Sequence, residues 1–172
     1  SYQDAQKQQY VQAVAQEIAA RREEAQYLDE AASIYFGGGT PSTLPTECLA
    51  QLVEDLKANG LWRRPREATI EVNPGTADLA KLQALRALGF DRISFGVQSL
   101  QGSELRTIGR IHTAQQALEA VALAREAGFR RINADLIYGL PGQTLASLRD
   151  TLEHLTATGI EHLSVYGLIV EE

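Results

Sequence analysis

Four polar residues, Glu71, Gln98, Asn133 and Asp135, stand within or directly after short segments rich in Val, Ile and Phe. A carboxylate at the end of such a segment is suited to accepting two hydrogen bonds from a ribose diol, as acidic residues do in dinucleotide-binding folds, and Asp135 is placed for that task. Arg110 lies in Ile108-Gly109-Arg110-Ile111-His112-Thr113, just ahead of a helical pattern. There its guanidinium can fork onto a carboxylate; an exposed surface charge is the other reading. The run Gly37-Gly38-Gly39-Thr40-Pro41-Ser42 offers bare backbone N–H and C=O groups to a small polar ligand. It has neither the Gly-Lys-Ser/Thr of a Walker loop nor the GxGxxG of dinucleotide sites, and a tight turn has the same composition. Gly139-Leu140-Pro141-Gly142-Gln143-Thr144 reads in the same two ways, with turn chemistry favoured.

The remaining candidates carry less. His112 reads as a helix-start residue, and His154 and His162 have no metal-ligand spacing to each other or to a cysteine. Cys48, next to the apolar Leu49 of a predicted helix, reads as a buried inert thiol. Arg63, Arg64 and Arg66 beside Trp62 read as a solvated loop, and Gln6 to Gln9 as a polar helix face.

Positioning these groups requires regular elements, and hydrophobic periodicity supplies them. Val11, Val14, Ile18, Ala25 and Leu28 predict one amphipathic helix over Tyr2 to Leu28. Strands are predicted at Ala31 to Phe36, Ala68 to Val72, Arg92 to Val97, Arg131 to Ile137 and His162 to Ile169. Helices fill the gaps: one with Pro45 near its start and Gly60 just past its end, one from about Thr76 to Leu88, one opened by a Thr113/Gln116 capping box, and one bearing Leu145, Leu148, Leu152 and Leu155. A degenerate repeat (Gly89-Phe90-Asp91-Arg92-Ile93-Ser94, Gly128-Phe129-Arg130-Arg131-Ile132-Asn133, Gly159-Ile160-Glu161-His162-Leu163-Ser164) marks each helix-to-strand joint, with glycine as a left-handed cap. Repeated βα units imply a parallel sheet.

Alternation turns Ile70, Val72, Phe95, Val97, Ile132, Ala134 and Leu136 toward a helix layer, and Glu71, Gln98, Asn133 and Asp135 toward the interior of an α/β barrel. Each unpaired buried polar group costs about 1–3 kcal/mol, so these four need one another, water or a ligand. The strand-end groups lie at the edge where parallel barrels bind ligands, although a purely structural hydrogen-bond network remains the alternative.

The 172 residues carry 16 Lys and Arg against 22 Asp and Glu, a formal charge of −6, which argues against a nucleic-acid surface. With 44% apolar and 22% charged residues the composition is that of a folded domain. No uncharged apolar run approaches the about 20 residues that cross a bilayer, so no transmembrane segment and a cytoplasmic location are expected. One cysteine excludes an internal disulfide. The absence of any methionine and a start within helical sequence suggest a piece of a longer protein. The expected organisation is a single domain over residues 1–172, a leading helix over 1–30 and βα units over 31–172.

Taken in order, Tyr35-Phe36-Gly37-Gly38-Gly39-Thr40-Pro41-Ser42, Glu71-Val72-Asn73-Pro74, Ser94-Phe95-Gly96-Val97-Gln98-Ser99, Gly109-Arg110-Ile111-His112 and Asp135-Leu136-Ile137-Tyr138-Gly139-Leu140-Pro141-Gly142-Gln143-Thr144 resemble the radical S-adenosylmethionine family of oxygen-independent coproporphyrinogen III oxidases and their heme-chaperone relatives. The Gly-Arg-Ile-His wording, with Gln98-Ser99 and Gly142-Gln143-Thr144, is more similar to the heme-chaperone branch. The resemblance implies a partial (β/α)6 TIM-like barrel, here without its first strand and cluster loop, that binds S-adenosylmethionine at its C-terminal edge. By position, Gly38, Gly39 and Thr40 match a glycine motif on the methionine amino group, and Glu71 a carboxylate on the same end. Gln98 and Asp135 match contacts to the nucleoside, Arg110 an arginine near the cofactor carboxylate, and Gly167 a backbone contact to adenine.

In such proteins a 4Fe-4S cluster on a CxxxCxxC loop reduces the cofactor to a 5′-deoxyadenosyl radical. With Cys48 alone, these residues cannot hold that cluster, so the stretch is expected to be inactive by itself. The resemblance further implies heme or porphyrin and a heme-accepting protein as partners. A porphyrinogen decarboxylase is the second reading, and a phosphate-binding βα barrel enzyme of unrelated chemistry the third.

Overall fold

The computed structural model describes residues 2–28 and 33–169. Five strands, β1 (Ser33–Phe36), β2 (Glu67–Val72), β3 (Arg92–Gln98), β4 (Arg131–Tyr138) and β5 (His162–Gly167), form one sheet in the order β1-β2-β3-β4-β5. Every adjacent pair is parallel, so each return passes outside the sheet through a helix. The helices are α1 (Tyr2–Ala20), α2 (Thr46–Ala58), α3 (Leu79–Leu88), α4 (Gly102–Thr107), α5 (Ala114–Glu126) and α6 (Leu145–Ala157). Five sequential parallel strands with helical returns are the layout of a partial βα barrel, as expected. Among the described residues no helix is long and apolar enough to cross a membrane.

Strand alternation divides the sheet as predicted. Ile70, Val72, Ile93, Phe95, Ile132, Ala134 and Leu136 are buried against Leu49 and Val53 of α2, Leu82 and Leu85 of α3, Ala117 and Val121 of α5 and Leu155 of α6. A smaller cluster joins Val11 and Ile18 of α1 to Cys48 and Leu52 of α2. The cysteine is the buried thiol expected, and its sulfur accepts from the Gln8 amide at 3.5 Å. The three repeat glycines, Gly89, Gly128 and Gly159, all have positive φ, and their chain direction carries each helix into the next strand.

Several expected boundaries move. The first helix ends at Ala20 and a 3-10 segment follows over Arg22–Tyr27, because Ala25 and Leu28 do not reach the apolar cluster that holds Val11 and Ile18. The third helix begins at Leu79, where the Asp78 carboxylate caps the Lys81 amide, rather than at Thr76. The first strand was expected from Ala31, but residues 31 and 32 lie outside the described set, and the last strand stops at Gly167. α4 has no counterpart in the periodicity. Arg63, Arg64 and Arg66 are exposed loop residues as expected, while Trp62 beside them packs edge-on against Phe36 and Phe90, with ring centres 6.5 and 5.6 Å away.

Candidate functional site

The two ends of the sheet differ in kind. At the N-terminal end Glu67 lies 3.8 Å from Arg92 and 3.7 Å from Arg131, and Asp91 lies 3.3 Å from Arg131, so charges there are paired. At the C-terminal end the polar face of the strands opens into a cavity of about 320 Å³. Its wall contains Gly38, Gly39, Thr40, Glu71, Gln98, Arg110 and Asp135, seven of the eight residues expected from the sequence. The eighth, Gly167, does not line it; Tyr166 does, and the α-carbon of Gly167 faces Tyr138, whose hydroxyl would lie 3.0 Å from an added Cβ.

Each side chain is held from below. Glu71 accepts from the Tyr35 hydroxyl at 2.6 Å and from the Gly38 amide at 3.2 Å, so both carboxylate oxygens are oriented while their outer lone pairs stay free. Burial, and then the bond to Glu71, pushes the Tyr35 phenol above its ordinary value, which keeps it a proton donor. A Cβ at Gly37 would collide with the Tyr35 ring, so any other residue there displaces the ring from its place beside Glu71. Across the cavity Arg110 donates to Asn73 Oδ1 at 3.4 Å, and Asn73 Nδ2 donates to Thr40 Oγ1 at 2.9 Å. Among the described residues Glu71, Asp135 and Arg110 have no ion-pair partner, so the cavity wall carries two carboxylates and one guanidinium whose charges are not paired.

Deeper in, the buried Asn133 is the hub of a network. Its Nδ2 donates to Ser94 Oγ at 2.7 Å and to Asp135 Oδ1 at 2.8 Å. Its Oδ1 accepts from Ser164 Oγ at 3.1 Å and from His162 Nδ1 at 2.5 Å, which requires the His162 proton on Nδ1. Ser94 Oγ donates to Asp135 Oδ2 at 3.1 Å. The structural network and the ligand-facing surface are therefore the same object: Asn133, Ser94 and Ser164 satisfy the interior, and Asp135 passes that scaffold to the cavity wall.

Gln98 adopts φ +67 at a register shift between Phe95 and Gln98, a conformation unusual for a residue with a side chain. Five lining residues lie outside the expected eight: Val72, Asn73, Gly96, Ile137 and Tyr166. Gly96 carried a signal of its own, an isolated glycine inside a strand, which marks close approach of another group. An added Cβ would stand 3.0 Å from Asn73 Oδ1 and 3.4 Å from Gln98 Nε2.

His112, just before the α5 cap, is buried and its Nε2 lies 3.1 Å from the Val97 carbonyl. Burial, helped by the nearby Arg110 cation and opposed by that bond, lowers its pKa below the ordinary 6.5. The folded protein holds His112 neutral, while the unfolded chain takes up a proton below about pH 6.5. Stability is therefore complete above that pH and declines as pH falls toward the lowered value. Melting temperatures between pH 7 and 5 are expected to drop in the parent chain and to drop less in His112→Gln, whose amide can still donate to Val97; equal slopes would remove His112 from this role.

A second cavity of about 530 Å³, lined by Val14, Ile18, Leu52 and Leu56 among others, lies between α1 and α2 and shares Gly39 and Thr40 with the first. Among the described residues no charged side chain lines it. Among the described residues no group of His, Cys, Asp and Glu is placed to hold a metal.

The profile of the radical SAM superfamily matches residues 3–155. The heme chaperone HemW of Haemophilus influenzae is 39% identical over 139 residues, covering 81% of this chain and 36% of that protein. The mitochondrial radical S-adenosyl methionine domain-containing protein 1 of Danio rerio is 38% identical over 139 residues, covering 81% of this chain and 31% of that protein. The coproporphyrinogen III oxidase HemN of Escherichia coli, a radical SAM enzyme, superposes with a TM-score of 0.84 at 33% identity, over 98% of this chain and 39% of its own. The chain thus spans about a third of the length of the curated relatives it matches. An unrelated phosphate-binding barrel is displaced by these findings: the chain belongs to the radical SAM superfamily.

Proposed function

We propose that this chain is the S-adenosylmethionine-binding core of a radical SAM protein of heme metabolism, of the heme-chaperone type. The observation that carries the reading is the pairing of Glu71 and Arg110, both without ion-pair partners among the described residues, in one cavity whose far wall is Asp135. A zwitterionic amino acid joined to a nucleoside meets that wall group for group. Glu71, with Gly38, Gly39 and Thr40, takes the ammonium end and Arg110 the carboxylate; Asp135 and Gln98 take the ribose, and Tyr166 of β5, which lines the cavity where Gly167 does not, borders the base.

When bound and reduced by one electron, such a sulfonium supplies a carbon-centred radical. The residues present do not fit the 4Fe-4S group that delivers this electron, because the one cysteine is buried between α1 and α2. This stretch therefore binds and orients the cofactor and does not cleave it. The heme-chaperone type, rather than the oxidase, is supported by curated relatives bearing that name at 39% identity. Heme and a heme-accepting protein are then the partners of the longer protein, and the cytoplasm its location.

Titration calorimetry on the chain is expected to show saturable binding of S-adenosylmethionine and none of a sugar phosphate. Binding of the phosphate alone would overturn the reading. Decarboxylation of coproporphyrinogen by the longer, cluster-loaded protein would move it to the oxidase branch.

A further inference from the structure

The cavity accounts for the half-buried Glu71 and Asp135 and for Arg110, but leaves the one buried carboxylate among the described residues without a task. Glu104, in the short helix α4, is 3% exposed. Its Oε2 accepts from Ser99 Oγ at 2.6 Å and from Gln143 Nε2 at 3.1 Å, and its Oε1 accepts from Ser147 Oγ at 2.6 Å. A charge removed from water is tolerated where such donors surround it, and these donors come from two distant stretches of chain. Ser99 is the residue after the left-handed Gln98, and its hydroxyl also receives the Gln101 amide at 2.9 Å. Gln143 in turn donates to the Ile137 carbonyl at 3.2 Å and accepts from the Gly139 amide at 2.8 Å. One buried carboxylate thus joins the turn that leaves β3 to the loop that leaves β4, and both carry cavity wall, Gln98 on one and Ile137 on the other.

A left-handed glutamine is costly and persists only where its surroundings over-determine it. Gln98 has such surroundings: the His112 bond to the Val97 carbonyl on one side, and on the other Ser99 on Glu104 and the Leu100 amide on Thr151 Oγ1 at 3.2 Å. Among the described residues the Gln98 amide itself makes no hydrogen bond, so nothing but its backbone aims it, and it remains available to a guest.

We propose that Glu104 is a positioning residue: its carboxylate clamps the β3 turn to the β4 loop and so holds Gln98 and Ile137 in place on the cavity wall before any ligand arrives. Its consequence for the cofactor rests on the reading of the cavity given above; the clamp itself does not. Replacement by Gln preserves every pairing, because Oε1 in the old Oε2 position still accepts from Ser99 and Gln143, while the new amide donates to Ser147, whose hydroxyl turns to the Thr144 carbonyl 3.0 Å away. Replacement by Leu removes the shared acceptor: Gln143 keeps the Ile137 carbonyl and Ser147 the Thr144 carbonyl, but the Ser99 hydroxyl loses its acceptor and nothing joins the two stretches.

Hydrogen exchange on the ligand-free chain reads the clamp directly. In Glu104→Leu the amides of Ser99, Leu100, Gly139 and Gln143 are expected to exchange at least tenfold faster, and S-adenosylmethionine to bind at least tenfold more weakly. In Glu104→Gln both quantities should stay within threefold of the parent. Asp78→Ala, which removes a helix cap far from the clamp, should leave those four amides unchanged. Should Glu104→Leu fail to fold, Ser147→Ala cuts one bond on the α6 side and is expected to speed exchange at Ser99, on the β3 side, at least threefold. Unchanged exchange at Ser99 in either variant, or equal loosening by Asp78→Ala, would overturn the clamp. If the exchange pattern holds but the parent chain does not bind S-adenosylmethionine, the clamp stands and the cofactor reading falls.

Discussion

Asp135→Ala is expected to weaken S-adenosylmethionine binding by about a hundredfold, about 2.7 kcal/mol, and to destabilise the fold by a further about 1–3 kcal/mol. The two effects have separate origins. Hydrogen bonds to an ionised acceptor are worth about 1.5–3 kcal/mol each, and a ribose diol offers two donors to this carboxylate. The stability loss arises on the other side of the same group, where Asn133 Nδ2 and the Ser94 hydroxyl lose their acceptors at 2.8 and 3.1 Å. Asn133 keeps its bond to Ser94 and the hydroxyl can reorient, so the network is damaged rather than abolished. Calorimetric titration and thermal melting on one preparation separate the two. Unchanged affinity beside a fall in melting temperature would make Asp135 a scaffold residue only.

That dual role was half legible in the sequence. Alternation along β2, β3 and β4 placed Glu71, Asn133 and Asp135 on the interior face, since period two leaves them no other choice once Ile70, Phe95 and Ile132 are buried. Which of the polar groups would satisfy one another, and which would be left for a guest, depends on distances across strands that residue order does not contain. Arg110 shows the same division. Its place before a helix was legible; its suspension from Asn73 opposite Glu71 follows from β2 and the β3–α5 connection meeting at one edge.

The misses have a common cause. α4 is a six-residue helix whose apolar period is too short to detect, and its buried Glu104 has no sequence signal that sets it apart from a surface charge. Trp62 sits among arginines, a context that suggests solvent, yet its ring closes the core beside Phe90. In each case tertiary packing overrode a local pattern, and Gln98 is the sharpest instance, because a left-handed glutamine contradicts its own propensity and is imposed by Val97, Ser99 and their partners.

Gly96→Leu is expected to abolish cofactor binding, a loss of at least a hundredfold, while leaving a folded protein. Gly96 is in the middle of β3, where most residues would be chosen for packing, and its flanking residues Phe95 and Val97 are fully buried on the helix side. The position itself faces the cavity. A single added Cβ would already stand 3.0 Å from Asn73 Oδ1 and 3.4 Å from Gln98 Nε2, so the three further carbons of leucine have no direction open except into the 320 Å³ space. Because that space is open to solvent the side chain can enter it without overpacking the core, and strand propensity favours the change. Gly96→Ala sets the lower bound: the Asn73 amide must shift by a few tenths of an ångström, which disturbs the Arg110 contact and predicts a loss of about tenfold. A graded fall in affinity from glycine through alanine to leucine, with melting temperature nearly level, identifies the glycine as the floor of the ligand site; affinity that ignores the size of the residue would show that the guest sits elsewhere.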